Sequence, residues 1–453
     1  MEQVTILNPN DIRYESTIGC DVHRDNVVCY SLQRQTEGNW LQTKEIFSTT
    51  HSGLQQFTAW CAAREPQKIL MESTGVYWMA PYDALELAQL PICIVNPAHV
   101  KRMDGRKTDV EDANWLAKIA VNGSFTASYI PTYEYRHLRL EERNVTRMTE
   151  NLTSYKNRET KAFVAAGFNL SIFSDQFGKA AMAAKEAILA GKPAHEIAAF
   201  VKSTSSRKLK ATKEQMIEAF SGCLTDAIKR TIESLRRVYT TLEKEIAAEK
   251  AHLIAKVKSM EGIYFDLLQT IPGISEWSAT VILIEIGGTN NFLSHFSNAD
   301  RFAAWTGLCQ GNNESASKRT GNKRRKGNKQ LRATFCESAH SAVKTKDTTF
   351  RSKYQSLVIR LGTKRSIVAI AHKILNMVFY VLSRKTPYRD PHINYQQKSS
   401  ERNASRWLKQ LMLMENFDLV VTNNTTGEIL DSKTVKEAQK KENVNSLKEA
   451  VRE

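Results

Sequence analysis

Between Ser16 and Val95 the apolar residues change period in a fixed order, and this order constrains the fold more than any other feature. Ser16–Val22 (STIGCDV), Asn26–Gln33 (NVVCYSLQ) and Trp40–Ser48 (WLQTKEIFS) read as three successive strands, and their short polar or Gly-containing connectors predict an antiparallel meander. Ser52–Arg64 then switches to helical spacing through Leu54, Phe57, Trp60 and Cys61. Lys68–Glu72 (KILME) reads as a short buried strand, followed by Ser73-Thr74-Gly75 and a helix through Leu87. Pro91–Val95 reads as a further strand, and Asp109–Val121 as a helix with Val110, Ala113, Leu116, Ala117 and Ala120 on its apolar face.

Three strands, a helix, and then alternating strand and helix is the order of an α/β RNase H-like fold. Within it Asp21 falls near the end of the first strand, and its neighbours Cys20 and Val22 face the other way. Glu72 ends the fourth strand. Asp109 and Asp112 are three residues apart at a helix start, which puts their Cβ atoms about 5–6 Å apart on one face. Taken singly, each acid has a plain structural explanation: a turn residue, or an acid favoured by the helix dipole. Four carboxylates converging at strand ends would repel one another strongly. An oxygen cage for Mg²⁺ resolves that repulsion, and such ions can clamp both oxygens of a phosphodiester exchange.

The rest of the composition narrows the class. At 453 residues the chain predicts two or three domains. Its seven cysteines are scattered and form no C-x-x-C pair, which argues for reduced thiols in the cytoplasm and against a zinc site. No secretion signal is evident in MEQVTILNPNDIRYE, and no apolar run reaches the roughly 18 residues of a membrane span, so no membrane partner is expected. A net charge of +16 points to a polyanion, nucleic acid first.

Thr132–Ala166 and Glu214–Met260 read as two long amphipathic helices, with shorter Ala-rich helices over Ala180–Ala199 between them. That pattern predicts a coiled-coil arm or, since the heptads are imperfect, a helical bundle. Leu267–Gly287 holds two apolar segments joined at Ile271-Pro272-Gly273-Ile274, a helix-hairpin-helix-like pattern whose turn could offer amides to a phosphate. Lys318–Arg332 then carries eight basic residues in fifteen (Lys318, Arg319, Lys323, Arg324, Arg325, Lys326, Lys329, Arg332) and no acid. Helix-forming sequence on both sides favours an internal loop against a nucleic-acid backbone over a solvated tail.

The runs G-C-D-V-H, M-E-S-T-G-V-Y-W, R-K-T-D-V-E-D-A-x-W-L-A and G-L-C-x-G-N-N-E-S-A-x-K-R together resemble the DEDD recombinases. This family comprises insertion-sequence transposases and Piv-like invertases with a RuvC-like N-terminal domain. Matched residue by residue, the family's acidic tetrad falls on Asp21, Glu72, Asp109 and Asp112, and its nucleophilic serine on Ser315. Gln310 and Ser317 stand where the family pattern has Pro and Gly. In an extended loop Ser317 would point the same way as Ser315 and compete with it.

The resemblance implies a transposase or recombinase that uses Mg²⁺ and a phosphoserine intermediate. It also implies donor and target DNA as substrates, a structured non-coding guide RNA, and a homo-oligomer, dimer or tetramer, on DNA. A metal-dependent Holliday-junction-type nuclease without a serine nucleophile, and a regulator with inert acids, are the alternatives. The expected division is a RuvC-like domain over 1–131, a helical region over 132–260, a transposase domain over 261–390 and a C-terminal extension over 391–453.

Overall fold

The computed structural model describes residues 11–36, 38–73, 75–96, 112–204, 210–309, 314–315, 318–319, 327–414, 418–422, 427 and 429–437. They form two compact units, 1–137 and 138–453.

The first unit is built on a five-stranded sheet in the order β3-β2-β1-β4-β5. Its strands are β1 Ser16–Val22, β2 Asn26–Arg34, β3 Trp40–Ser48, β4 Lys68–Glu72 and β5 Ile92–Val95. β1, β2 and β3 pair antiparallel, whereas β4 lies parallel to β1 and β5 parallel to β4. This mixed order is that of an RNase H-like fold, as the strand and helix sequence predicts. Helices α1 His51–Ala62 and α2 Met79–Leu87 supply the crossovers, and α3 Asp112–Asn122 follows the sheet.

The pleat sorts the central residues onto two faces. Ile18, Cys20, Val22, Ile69, Met71 and Ile94 pack on one side with Phe57 and Cys61 of α1 and Leu85 of α2. Tyr30 and Leu32, and Leu70 and Val95, lie on the other side beneath Ala113, Leu116, Ala117 and Ala120 of α3. Fully burying a Leu or Ile contributes about 1.5–3 kcal/mol, so α3 is held chiefly by this stripe. The approach is close. A Cβ on Gly19 would stand 2.0 Å from the Ala113 carbonyl oxygen and 2.5 Å from the Ala117 nitrogen. Thr17 Oγ1 adds a hydrogen bond to the Ala117 carbonyl at 3.1 Å.

The second unit is helical. It contains most of α4 Tyr133–Ala165, then α5 Lys179–Leu189, α6 Ala194–Thr204, α7 Lys213–Ala219 and α8 Asp226–Glu261. α4 and α8 lie side by side and antiparallel, since Lys156 meets Glu243 at 2.6 Å and Glu159 meets Arg236 at 2.5 Å. Buried Ile232, Tyr239, Ile246 and Leu253 recur every seven residues along α8. At the far end Phe163, Ala181, Ile188, Val201, Met216 and Ile232 close a small bundle core.

The single helix expected over Glu214–Met260 is in fact two, separated after Ala219. The chain there crosses the end of α4: Cys223 N–H donates to the Ala166 carbonyl and Asn169 N–H to the Ala219 carbonyl. Gly222 lies so close to Ala166 that a Cβ would sit 2.5 Å from its carbonyl oxygen. Thr225 then caps α8 by accepting from Ile228 N–H.

Next come α9 Ile263–Gln269, α10 Glu276–Ile286, α11 Thr289–His295 and α12 Ala299–Thr306. The two-residue strands β6 Glu314–Ser315 and β7 Lys318–Arg319 precede α13 Lys329–Ala342, α14 Thr349–Arg384 and α15 Tyr395–Met412. β8 Val420–Thr422 and β9 Ile429–Asp431 form a terminal hairpin. Phe292 and Phe302 meet edge-on at 4.8 Å, and Phe379 and Phe335 extend the cluster, fixing α11 and α12 against α13 and α14.

α14 is long and apolar enough to cross a membrane by length and composition, although His372, Lys373 and Asn376 interrupt its apolar residues. It breaks at Gly362 (φ 73°, ψ 168°), and Ile367, Ile370, Ile374, Leu375 and Val378 are buried in protein. It serves as the core helix of this unit.

Candidate active site

Two of the predicted acids stand together because of strand register. β1 and β4 pair Cys20 with Met71, so one further residue along each strand sets Asp21 beside Glu72. Adjacent strands lie about 4.8 Å apart. Both acids point to the α3 side. Asp21 pairs across β2 with Val28, which packs on the Ala113 cluster. Glu72 pairs across β5 with Val95, which packs on Leu116.

α3 runs opposite to β1, since Ala113 lies over Gly19 and Ala117 reaches back to Thr17. Its first residue, Asp112, is therefore at the same end of the sheet as Asp21 and Glu72. Glu72 is 9% exposed. Asp21 is held by His23, whose Nε2 stands 3.1 Å from Oδ2. His23 was legible as the last letter of G-C-D-V-H but carried no expected role of its own. Asp109 lies outside the described residues.

Among the described residues no three His, Cys, Asp or Glu side chains already form a metal-holding group. The donor chemistry nonetheless fits a hard cation: carboxylates only, on strand ends and a helix start, with a nearly buried Glu72 among them. Asp21, Glu72 and Asp112 could bind such an ion with a shift of side chains, and Asp109 would complete the set.

The second predicted cluster belongs to the other unit. α12 ends at Gly307 in the left-handed conformation (φ 73°). The chain returns at Gly327, where a Cβ would stand 2.4 Å from the Gly307 nitrogen. The nineteen residues between them are thus an excursion whose two ends touch. Within it Glu314 pairs with Arg319 and Ser315 with Lys318.

Lys318 and Arg319 form β7 opposite the serine strand, and Lys329 and Arg332 lie on the first turn of α13. Lys323, Arg324, Arg325 and Lys326 lie outside the described residues, as do Gln310 and Ser317.

The helix-hairpin-helix-like turn does not hold an open phosphate site at Gly273. A Cβ there would be 2.2 Å from the Ser338 carbonyl oxygen and 2.8 Å from the Ala342 nitrogen, so this glycine lets α9–α10 pack on α13. The Ile274 amide is already bonded to the Ile271 carbonyl.

Comparison with known proteins places both regions in one family. The DEDD transposase profile of the IS110 type matches residues 18–166, which include Asp21, Glu72 and Asp112. The profile described as "Transposase IS116/IS110/IS902 family" matches residues 265–355, which include Ser315 and the basic run. No curated protein matches the chain. The solved structure of Thermus thermophilus RuvC is similar to it at 13% identity and a TM-score of 0.19, covering 25% of this chain and 99% of that one. The two profiles together span more than half of the chain, and it belongs to the IS116/IS110/IS902 family of transposases, enzymes that act on DNA.

Proposed function

We propose that this transposase exchanges strands between a donor and a target DNA through a covalent serine–phosphate intermediate. Asp21, Glu72, Asp109 and Asp112 would hold Mg²⁺, and Ser315 would be the nucleophile. The observation that carries the reading is the placement of Asp21 and Glu72 side by side, on the sheet face where α3 begins with Asp112. Bound there, Mg²⁺ would supply positive charge to the scissile phosphate.

In this reading Ser315 Oγ gives up its proton and bonds to phosphorus, and the bond from phosphorus to one deoxyribose oxygen breaks. The departing oxygen takes a proton. A hydroxyl from the other DNA later attacks the phosphoserine and returns the serine, so the ester energy is kept and no external energy source is needed. Lys318, Arg319, Lys323, Arg324, Arg325, Lys326, Lys329 and Arg332 neutralise backbone phosphates.

The choice of DNA is made by pairing to a structured non-coding RNA. The acids lie in one unit and the serine in the other, and a homo-oligomer on DNA completes each site with residues from two subunits. In this scheme residues 1–131 supply the acids, 132–260 the helical arm, 261–390 the serine and basic loop, and 391–453 an extension.

The test is to trap protein–DNA adducts on denaturing gels for the parent, Ser315→Ala and Ser317→Ala. Loss of the adduct in Ser315→Ala alone is expected. Loss in Ser317→Ala alone would move the nucleophile by two residues. Metal-dependent cutting with no adduct in any of the three would assign the chain to water-based nucleases instead.

A further inference from the structure

The segment that carries Ser315 is rooted in a buried ionic anchor for which the reaction scheme has no use. Glu285 lies near the end of α10 in the apolar run VILIEIG and is 0% exposed. An isolated buried carboxylate is very costly, so its partners matter. Arg143 Nε approaches Glu285 Oε1 at 3.1 Å, and Arg139 Nε approaches Oε2 at 3.3 Å. The fourth member is Asn328, whose Nδ2 donates to Glu285 Oε2 at 2.6 Å.

Asn328 makes two further bonds. Its Oδ1 caps α13 by accepting from Leu331 N–H at 3.0 Å, and its own N–H donates to the Trp305 carbonyl at 3.2 Å. Next to it, Gly327 is pressed against Gly307. One residue therefore ties together the exit of the excursion, the start of α13 and the last turn of α12, the first two through its side chain and the last through its backbone N–H. The carboxylate fixes that side chain, and two arginines of α4 fix the carboxylate.

We propose that Glu285 and Asn328 are positioning residues for Ser315. They hold the root of the serine-bearing excursion in one place, and Arg139 and Arg143 link that root to the long helix α4. The inference rests on the reading of Ser315 as nucleophile. A cap alone would need only a short hydroxyl or carboxylate at position 328. The amide is what lets one residue cap the helix and bind Glu285 at once.

The test separates these two roles. Asn328→Ser keeps a cap for Leu331 but has no amide to reach Glu285. Glu285→Gln keeps an acceptor for Asn328 but loses its charge pairing with the arginines. In the full-length protein on saturating DNA, Asn328→Ser should form the Ser315 adduct about tenfold or more slowly, because small misplacements of a reacting group cost rates of this order. Its melting temperature and DNA affinity should stay near those of the parent. Trypsin should cut after Lys318 or Arg319 faster in both variants. An unchanged rate constant with a smaller adduct yield would mean lost folded protein only, and would overturn the proposal. If Ser315→Ala still forms the adduct, the nucleophile assignment fails. The anchor is then judged by trypsin, and unchanged cutting in Asn328→Ser overturns it as well.

Discussion

Glu159 and Lys185 meet at 2.7 Å with neither side chain exposed to solvent. Glu159 lies on the row Leu138, Val145, Leu152, Glu159, a seven-residue spacing along α4 that otherwise holds apolar residues. Its other oxygen takes Arg236 Nε at 2.5 Å and Tyr239 OH at 3.3 Å from α8. Lys185 also sits 3.7 Å above the Phe177 ring. A polar residue at such a position fixes which turns of two helices face each other, so this cluster sets the register of the arm.

The cluster predicts an asymmetry. Glu159→Gln leaves Lys185 buried without a counter-charge and should cost about 3–5 kcal/mol. Lys185→Met leaves Glu159 paired with Arg236 and Tyr239, and should cost clearly less. Urea unfolding of both variants decides it. Equal losses would mean that Lys185, and not the carboxylate, is the centre of the network.

A second buried acid gives a pH dependence. Glu142 is 0% exposed, and burial, reinforced by the nearby charge of Glu285, pushes its carboxyl up to about 7. Thr146 Oγ1 and Gln330 Nε2 donate to its Oε1 at 3.1 and 2.6 Å. The folded protein thus holds this proton more tightly than the unfolded chain does. The contribution to stability is greatest below the ordinary glutamate value of 4.5 and is lost as pH rises through about 7. The total is on the order of 3 kcal/mol. Glu142→Gln should flatten the stability profile between those limits and be more stable than the parent at pH 8. Denaturant midpoints across that range measure it, and a parallel profile in the variant would rule out Glu142 as the source.

The contact of Gly19 with α3 predicts a loss that larger core residues would not show. A methyl at position 19 would strike main-chain atoms of Ala113 and Ala117, which cannot rotate away. Gly19→Ala should therefore push α3 off the sheet and cost about 1–3 kcal/mol. DNA cleavage should fall further than stability alone explains, because Asp112 moves with the helix. Parental cleavage by the folded variant would mean that Asp112 need not be held at this distance.

Much of the first unit was legible because its strands carry their own signals. Ser16–Val22, Trp40–Ser48 and Lys68–Glu72 run between the residues that the alternation implies. A central strand covered on both faces reads as a nearly continuous apolar run, which KILME and STIGC supply. Register then follows from parity, so the side on which Asp21 and Glu72 lie could be inferred. The break after Ala219 was not legible, since it depends on how the chain crosses Ala166, more than fifty residues earlier. The Glu285 anchor is a similar case. A single acid inside VILIEIG is anomalous in a buried helix, and that was the available signal. Its partners at 139, 143 and 328 are joined only by tertiary packing.

The acids themselves make the last prediction. Asp21 and Glu72 lie side by side near the ends of neighbouring parallel strands, a pair of carboxylates that suits a hard cation. Adding Mg²⁺ should therefore raise the melting temperature of the parent, because an ion that binds only the folded state stabilises it by mass action. The rise should vanish in Asp21→Asn, Glu72→Gln and Asp112→Asn, and EDTA should reverse it. All three variants should still bind DNA, since the basic residues are untouched. Cleavage should be lost in each and abolished by EDTA in the parent. His23→Ala serves as the contrast: it removes the partner of Asp21 but no carboxylate, so the Mg²⁺-dependent rise should remain. A parent that cuts DNA equally well in EDTA, or an Asp112→Asn variant with the full Mg²⁺ response, would remove these acids from the metal site.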